Sequence, residues 1–176
     1  TKDIMLSEIV LLCLIGGITF FGILGYRPAG LWPDMMAFIM GGAIRAGGNI
    51  TPAAEFNTHA DPHAAHIVFH SGIPITLIPL DATYKCLLTS ADIERLNKIK
   101  SPIARFVGDA TAIYMDFYKK YEGFDGCALH DPLTLAVIIA PELFTFEDHY
   151  IDVDISTGVS MGNTFADFMK VTKKPA

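Results

Sequence analysis

Residues 40–57, MGGAIRAGGNITPAAEFN, carry two amides and a carboxylate on one Gly-rich segment: Asn49, Glu55 and Asn57. The segment follows an apolar run, AFIM at residues 37–40, which is typical of a buried strand. Amide and carboxylate groups on one loop can together bind the hydroxyls of a sugar. Gly-rich turns after strands are common, however, and Asn is an ordinary loop residue. Spacing alone therefore leaves a plain connecting loop, with Glu55 on the surface, as the alternative.

The consecutive residues His130 and Asp131 have a different chemistry. An imidazole titrates near neutral pH and can act as a general acid or base. A carboxylate is a hard oxygen ligand of the kind that calcium prefers. An acid beside a metal-binding carboxylate suits the departure of a nucleobase from a sugar.

The chain resembles the nucleoside hydrolases, specifically the inosine–uridine-preferring group, from about Glu8 to Phe168. Several motifs carry this resemblance in the same order as in the family. They are MGG, GNxTP and AEFN within residues 40–57, DPxAAHIVF at 61–69, Asp81 with Thr83, His130-Asp131-Pro132, and GNTFADF at 162–168.

The resemblance implies a reaction and the residues that perform it. Ribonucleosides would be hydrolysed at the N-glycosidic bond, with calcium, to ribose and a free base. Four residues would contact the ribose: Met40, Asn49, Glu55 and Asn57. His130 would be the acid that assists the leaving base, while Asp131 and the backbone carbonyl of Ile15 would be calcium ligands.

The chain also departs from the family pattern. The family carries an Asp cluster, D-x-D-x-x-x-D-D, which supplies most calcium ligands and the base that activates water, and this sequence contains no such cluster. Asp152 and Asp154 match the spacing of the first two aspartates in that pattern, but no pair of aspartates follows them. We therefore expect one nucleoside hydrolase-like domain, residues 1–176, truncated at both ends relative to the family and weak or inactive alone. The alternative is a non-catalytic subunit of the same fold that binds nucleosides or takes part in an assembly. Its partner would be a second copy of the chain or another chain that covers the truncated edges.

Strand and helix patterns alternate along the chain and predict an α/β fold, an open, mostly parallel sheet flanked by helices. One predicted helix begins at Asp61-Pro62 and is ended by Gly72. A longer helix begins at Ser101-Pro102 and is ended by Gly123. The predicted buried positions of the longer helix recur at three- and four-residue steps: Ile103, Phe106, Val107, Ala110, Tyr114, Phe117 and Tyr121. Further strands are predicted at residues 9–15, 73–80 and 150–155, and a helix at 131–140. Because ligands gather at the carboxyl ends of strands, we expect one site near Gly16-Gly17, Gly41-Gly42 and the turn at residues 81–83.

Composition narrows the class of protein. The 176 residues are 51% hydrophobic and 18% charged, with a net charge of −6, and no basic stripe predicts nucleic-acid binding. Three cysteines without CxxC spacing, Cys13, Cys86 and Cys127, predict reduced, buried thiols in a cytoplasmic protein.

Residues 9–26 are uncharged and approach the length of a membrane span. The Gly16-Gly17 pair would interrupt a spanning helix, so we favour a strand, a turn and the start of a helix, and leave a membrane anchor as the alternative.

Four histidines at residues 59, 63, 66 and 70 are spaced for a transition-metal site. We expect Ala65 and Val68 to face the core instead, leaving the histidines on a solvated helix face.

Overall fold

The computed structural model describes residues 10–15, 18–25, 36–123 and 125–176. These residues form two compact units, residues 1–81 with 131–176 and residues 82–130. Each unit is described by itself, and the single-domain expectation stays a prediction. No helix within the described ranges is long and apolar enough to cross a membrane.

Strands alternate with helices along the chain, as the sequence predicts. The strands are β1 (Val10–Ile15), β2 (Ile18–Gly25), β3 (Met36–Met40), β4 (Ile75–Ile78), β5 (Leu87–Leu88), β6 (Cys127–Ala128), β7 (Ile151–Val153) and β8 (Thr164–Ala166). The helices are α1 (Phe56–Ala60), α2 (Pro62–Phe69), α3 (Leu80–Thr83), α4 (Ser90–Lys98), α5 (Pro102–Tyr121) and α6 (His130–Ile139), with a short 3-10 helix at Pro141–Leu143. The α/β class is confirmed.

The first unit contains a four-stranded sheet in the order β1-β2-β3-β4. The expected parallel pairing is found between β3 and β4, where Met40 lies opposite Ile78. The β1–β2 and β2–β3 pairs are antiparallel, which the sequence analysis did not predict. Two residues separate β1 from β2, and a connection that short can join only antiparallel strands.

The predicted helix after Gly16-Gly17 is therefore wrong, because residues 18–25 form strand β2. The two glycines themselves, and the ends of the 9–26 segment, lie outside the described residues. The side chain of Cys13 does too, whereas Cys86 and Cys127 are free thiols.

Local capping explains where the helices begin. The Asp61 carboxylate accepts a hydrogen bond from the amide of Ala64 at 2.8 Å and starts α2, with Pro62 at its first position. Ser101 caps α5 in the same way. An oxygen acceptor before the first turn satisfies an amide that has no partner inside the helix, so both predicted starts are confirmed.

Helix α5 buries a different face from the predicted one. Ala104 and Tyr118 are its buried residues, and Tyr118 packs with Cys127 and Ala128 of β6. Six of the seven positions predicted to be buried are exposed: Ile103, Phe106, Ala110, Tyr114, Phe117 and Tyr121. Apolar residues recur at helical spacing on two faces of this helix, so periodicity alone chose the wrong one.

Candidate active site

The loop between β3 and α1 is anchored by Asp81, which lies just after β4. The Asp81 carboxylate accepts hydrogen bonds from the amides of Ile44, Arg45 and Ala46 at 2.8, 2.7 and 3.1 Å. The amide of Leu80 donates to the Gly42 carbonyl at 2.9 Å. Because β3 and β4 are parallel, their carboxyl ends meet at one edge, which brings Asp81 to this loop. The expected convergence of strand ends is confirmed for Gly41-Gly42 and Asp81.

Strand β8 holds the start of the same loop through Thr164. The amide of Ala43 donates to the Thr164 hydroxyl at 2.8 Å, and that hydroxyl donates to the Ala43 carbonyl at 3.1 Å. Gly42 has a φ of +78°, and a Cβ there would lie 2.7 Å from Thr164 Oγ1. Only glycine fits this backbone conformation and this close approach.

Glu55 closes the loop at its other end. Its side chain is buried, with 2% of the residue exposed. Its Oε2 atom accepts hydrogen bonds from the amide of Gly42 at 2.9 Å and from the amide of Thr58 at 3.1 Å, so Glu55 is also the N-cap of α1. The alternative that Glu55 is a surface residue is wrong.

Burial raises the pKa of the Glu55 carboxyl, and hydrogen bonds from the backbone amides of Asn57, Gly42 and Thr58 only partly offset that rise. The nearby negative charge of Asp131 raises the pKa of Glu55 further. Burial likewise raises the pKa of Asp131. A buried carboxyl group near a second carboxylate creates a local demand for hydrogen-bond donors or a cation.

The remaining predicted ribose contacts lie around the first turn of α1. The Asn57 side-chain amide donates to the carbonyl oxygen and the sulfur of buried Met40 at 3.4 and 3.3 Å. A Cβ on Gly41 would lie 3.6 Å from Glu55 Oε2 and 3.9 Å from the Asn57 Cβ atom. The structure therefore brings Met40, Glu55 and Asn57 together.

Asn49 lies at the exposed rim of this group. Its side-chain oxygen accepts a hydrogen bond from the amide of Phe56 at 2.8 Å. Among the described residues its side-chain nitrogen has no hydrogen-bond partner, so that nitrogen is available to a ligand.

The two predicted calcium ligands are the Asp131 carboxylate and the Ile15 carbonyl. Asp131 is half-buried, and its carboxylate has no hydrogen bond or ion pair to any described residue. Ile15 is the last residue of β1, opposite Ile18, and the role of its carbonyl stays a prediction.

His130 belongs to the unit of residues 82–130, where hydroxyl groups contact both of its ring nitrogens. Its Nδ1 atom lies 2.9 Å from Thr83 Oγ1, and its Nε2 atom lies 2.5 Å from the Tyr118 hydroxyl. A neutral imidazole offers one N–H and one lone pair, and a hydroxyl can either donate or accept. Both contacts can therefore be satisfied without a charge on the ring.

Burial lowers the pKa of His130. The pKa of Tyr118 is raised, first by burial and then by its neighbour Tyr114. Both groups are consequently neutral at neutral pH, and His130 would become a strong acid once it is protonated. A histidine ring with a lowered pKa gives up its proton readily once it is protonated. It takes up that proton at neutral pH only when a negative group comes close to it.

Sequence reasoning missed two of these positioning residues. It assigned no role to Tyr118, although Ala104, Thr111 and Tyr118 recur at seven-residue steps on the inner side of α5. It noted Asp81 at a strand end without predicting the three amides that its carboxylate binds.

The predicted solvated histidine face is only partly correct. Ala65 is fully buried, as expected, and His63 is exposed. His66 and His70 instead contact Asp152 of β7, and His59 Nδ1 lies 3.0 Å from the carbonyl oxygen of Met161.

Residues 35–176 match the family model described as inosine-uridine preferring nucleoside hydrolase. Because that match covers most of the sequence, the chain belongs to this family of glycosidases. A pyrimidine-specific ribonucleoside hydrolase, RihA of Shewanella oneidensis, is 42% identical over 78% of this chain and 43% of its own length. RihA of Shewanella baltica is 38% identical over 97% of this chain and 54% of its own length. The chain thus spans about half the length of the curated relatives it matches.

Solved structures agree with this assignment. A plant nucleoside hydrolase superposes with a TM-score of 0.72 at 30% identity, over 78% of this chain and 43% of its own. A purine-preferring ribonucleoside hydrolase from Gardnerella vaginalis gives a TM-score of 0.69 at 35% identity, over 77% and 43% of the two chains.

Proposed function

We propose that this chain supplies the sugar-binding residues and the acid of a calcium-dependent ribonucleoside hydrolase. In this reaction the oxygen of water bonds to C1′ of the ribose as the C1′–N bond breaks. The electron pair of that bond leaves with the nucleobase, which takes up a proton. Ribose and a free base result. Positive charge develops on the sugar in the transition state, as in other glycoside hydrolysis.

The observation that carries the proposal is the buried carboxylate of Glu55. Burying a carboxyl group is costly, and no described residue forms an ion pair with this one. The Glu55 carboxylate and the Asn57 side chain both lie around Gly41, and the Asn57 amide contacts Met40. We assign Glu55 and Asn57 to the ribose hydroxyls, Asn49 to the same hydroxyls from the rim, and the apolar Met40 side chain to the sugar face.

His130 is assigned to proton donation. Its ring is held by Thr83 and Tyr118, so its orientation is fixed before substrate binds. Its lowered pKa makes the protonated ring a stronger acid but a less populated one, so the ring would take up a proton before donating it to the departing base as a general acid.

Calcium takes six to eight oxygen ligands, and the described residues meet that requirement only in part. Asp131 has the right donor type, is half-buried and has no competing hydrogen bond to any residue that the structure describes. Ile15 adds one carbonyl. Calcium, when bound, would hold water and the sugar diol at this carboxylate. A shell with so few protein ligands should be weak, so we expect the chain alone to turn over slowly or not at all.

A second candidate function is nucleoside binding without turnover, in an assembly. The exposed apolar side chains of α5, including Ile103, Phe106 and Ile113, favour contact with another chain, either a second copy or a partner. Native mass tests this candidate, because a monomer at high concentration would count against an assembly. The cytoplasmic location also stays a prediction.

One experiment separates these outcomes. The chain is incubated with calcium and with inosine, uridine or cytidine, and released ribose is assayed beside calorimetric binding of each nucleoside. Calcium-dependent binding that Asp131→Asn weakens supports the proposed site. Binding without ribose release favours the second candidate, rapid turnover contradicts the expected weakness, and no nucleoside binding contradicts the proposed site.

A further inference from the structure

His66, His70 and Asp152 form a separate cluster in the first unit. His66 lies in the last turn of α2, His70 is the C-cap of that helix, and Asp152 lies in β7. His66 Nδ1 is 2.9 Å from Asp152 Oδ1, and His70 Nε2 is 3.6 Å from Asp152 Oδ2. One nitrogen from each ring and one carboxylate oxygen all lie within 4.8 Å of one another.

The backbone fixes the tautomer of His70. Its Nδ1 atom lies 2.8 Å from the carbonyl oxygen of His66. A carbonyl can only accept, so Nδ1 carries the hydrogen and the lone pair of the neutral ring is on Nε2. Nε2 is the atom that faces Asp152. Metal-binding histidines are held in this way, with the second ring nitrogen donating to a carbonyl or carboxylate.

The spacing of the cluster suits a small tetrahedral cation. Zinc binds nitrogen and carboxylate oxygen at about 2.0–2.2 Å, which places neighbouring ligand atoms about 3.3 Å apart. The two nitrogen–oxygen distances, 2.9 Å to Asp152 Oδ1 and 3.6 Å to Asp152 Oδ2, lie on either side of that value. They end on different carboxylate oxygens, so a bound ion would draw the three ligand atoms closer than the 4.8 Å within which they lie. Histidines four residues apart on one helix can both reach such an ion, as they do in zinc enzymes.

The charge of the cluster also favours a cation. Burial alone would raise the pKa of Asp152, but hydrogen bonds from the Tyr150 hydroxyl, the amide of Val153 and the His66 ring together lower it. The carboxylate is therefore charged at neutral pH. The site therefore offers the negative charge of one carboxylate to a divalent ion.

We propose that His66 Nδ1, His70 Nε2 and the Asp152 carboxylate bind a zinc-type divalent cation, with a fourth position open to water or another ligand. The ion would replace the hydrogen bond between His66 Nδ1 and Asp152, and the hydrogen of the neutral His66 ring would then lie on Nε2. Imidazole nitrogens select zinc over calcium, so this site is distinct in chemistry from the calcium ligand Asp131. It does not depend on the proposed hydrolase function.

Two neighbouring groups would respond to the ion. The Tyr150 hydroxyl lies 2.7 Å from Asp152 Oδ2 and 2.9 Å from His70 Nε2. The Lys174 ammonium donates to the same hydroxyl at 2.8 Å. A bound cation would repel that ammonium, so removing the Lys174 charge should strengthen metal binding. A hydrogen-bonded cluster with no capacity for metal predicts no such effect.

The test uses the full chain without a histidine tag, freed of metal by a chelator. Zinc is titrated against a chromophoric competitor, and cobalt is titrated separately, because four-coordinate cobalt has a visible absorption band. Calcium serves as the comparison ion. We expect zinc to bind more tightly than calcium, and His70→Ala to weaken zinc binding by at least about tenfold. Lys174→Ala should tighten it several-fold.

The matched control is His63→Ala, an exposed histidine on the same helix that lies outside the cluster. Unchanged zinc affinity in this variant supports the assigned site. Equal losses in His63→Ala and His70→Ala, no cobalt band, or no zinc binding by the wild-type chain would overturn the proposal. Since Lys174 is exposed and His70 caps a helix end, both variants are expected to fold, which circular dichroism checks.

Discussion

The Glu55 carboxylate accepts a hydrogen bond from the amide of Gly42 at 2.9 Å, across thirteen residues of chain. This bond joins the two ends of the loop that carries the predicted sugar-binding residues. The same oxygen caps α1 through the amide of Thr58. One buried carboxylate thus shapes the loop, starts the following helix and lies beside Asn57, where a ribose hydroxyl could reach it.

Glu55→Gln should weaken nucleoside binding and leave the fold intact. The glutamine oxygen can still accept from Gly42 and Thr58, while the costly buried charge is removed. We expect a loss of about 1.5–3 kcal/mol in binding, the scale of a hydrogen bond to a charged group, with an unchanged or higher melting temperature. Calorimetry and thermal unfolding measure the two effects. Glu142→Gln, at an exposed glutamate, should change neither, and unchanged affinity in Glu55→Gln would remove the ribose role.

Gly42→Ala should destabilise the protein more than Gly72→Ala. The φ angles of Gly42 and Gly72 are nearly equal, at +78° and +77°. A Cβ added at Gly42 would contact the Thr164 side chain, whereas a Cβ added at Gly72 would have no atom within 4 Å. The positive φ should cost each variant about 1–2 kcal/mol, and the contact with Thr164 should add about 1–3 kcal/mol at Gly42. Denaturant unfolding compares the two variants. Equal losses would mean that β8 does not restrict the loop.

Asp81→Asn should loosen the loop at residues 44–46. The carboxylate accepts from three amides there, whereas an asparagine has one oxygen and no charge. The expected cost is about 1.5–3 kcal/mol, with faster amide hydrogen exchange at those three residues. Asp148→Asn is the control, since Asp148 is exposed and makes no hydrogen bond among the described residues. Unaltered exchange in Asp81→Asn would contradict the anchoring role.

The half-buried His130 should make stability depend on pH in a defined direction. Its folded-state pKa is lower than the ordinary value of 6.5, so the unfolded chain binds more protons in the window below pH 6.5. Stability is therefore fully present above that value and is lost as pH falls through the folded-state pKa. His130→Gln should flatten this part of the profile, while His63→Gln should not. Thermal unfolding between about pH 5 and 7 compares the three proteins, and parallel profiles would argue against a lowered pKa of the His130 ring.

The structure agrees with the sequence where the information is local. Asp61 and Ser101 cap helices because their side chains reach amides two or three residues ahead, and Pro62 and Pro102 suit the first helical position. Gly72 and Gly123 follow helices and have positive φ. Motif order also brought forward Met40, Glu55 and Asn57, which the fold then places side by side.

The sequence-based predictions were wrong where two local patterns fitted the same residues equally well. Strand β2 follows β1 after two residues, and its apolar residues suit a strand as well as a buried helix. Helix α5 has apolar residues on two faces, and the packing of Tyr118 against Cys127 selected the one that was not predicted.

The sequence by itself determined the family, through the order of its motifs, and the residue types available for chemistry. It also determined the starts of α2 and α5, because a helix cap depends on neighbours within a few positions. Tertiary structure alone decided the partners of those residues. The Ala43–Thr164 contact spans 121 residues and the His66–Asp152 contact spans 86, distances over which no local pattern constrains pairing. Such contacts form only when the strands pair and the helices pack. The burial of Glu55, the pKa shifts of Glu55 and His130, and the candidate metal cluster therefore become visible only in the tertiary structure.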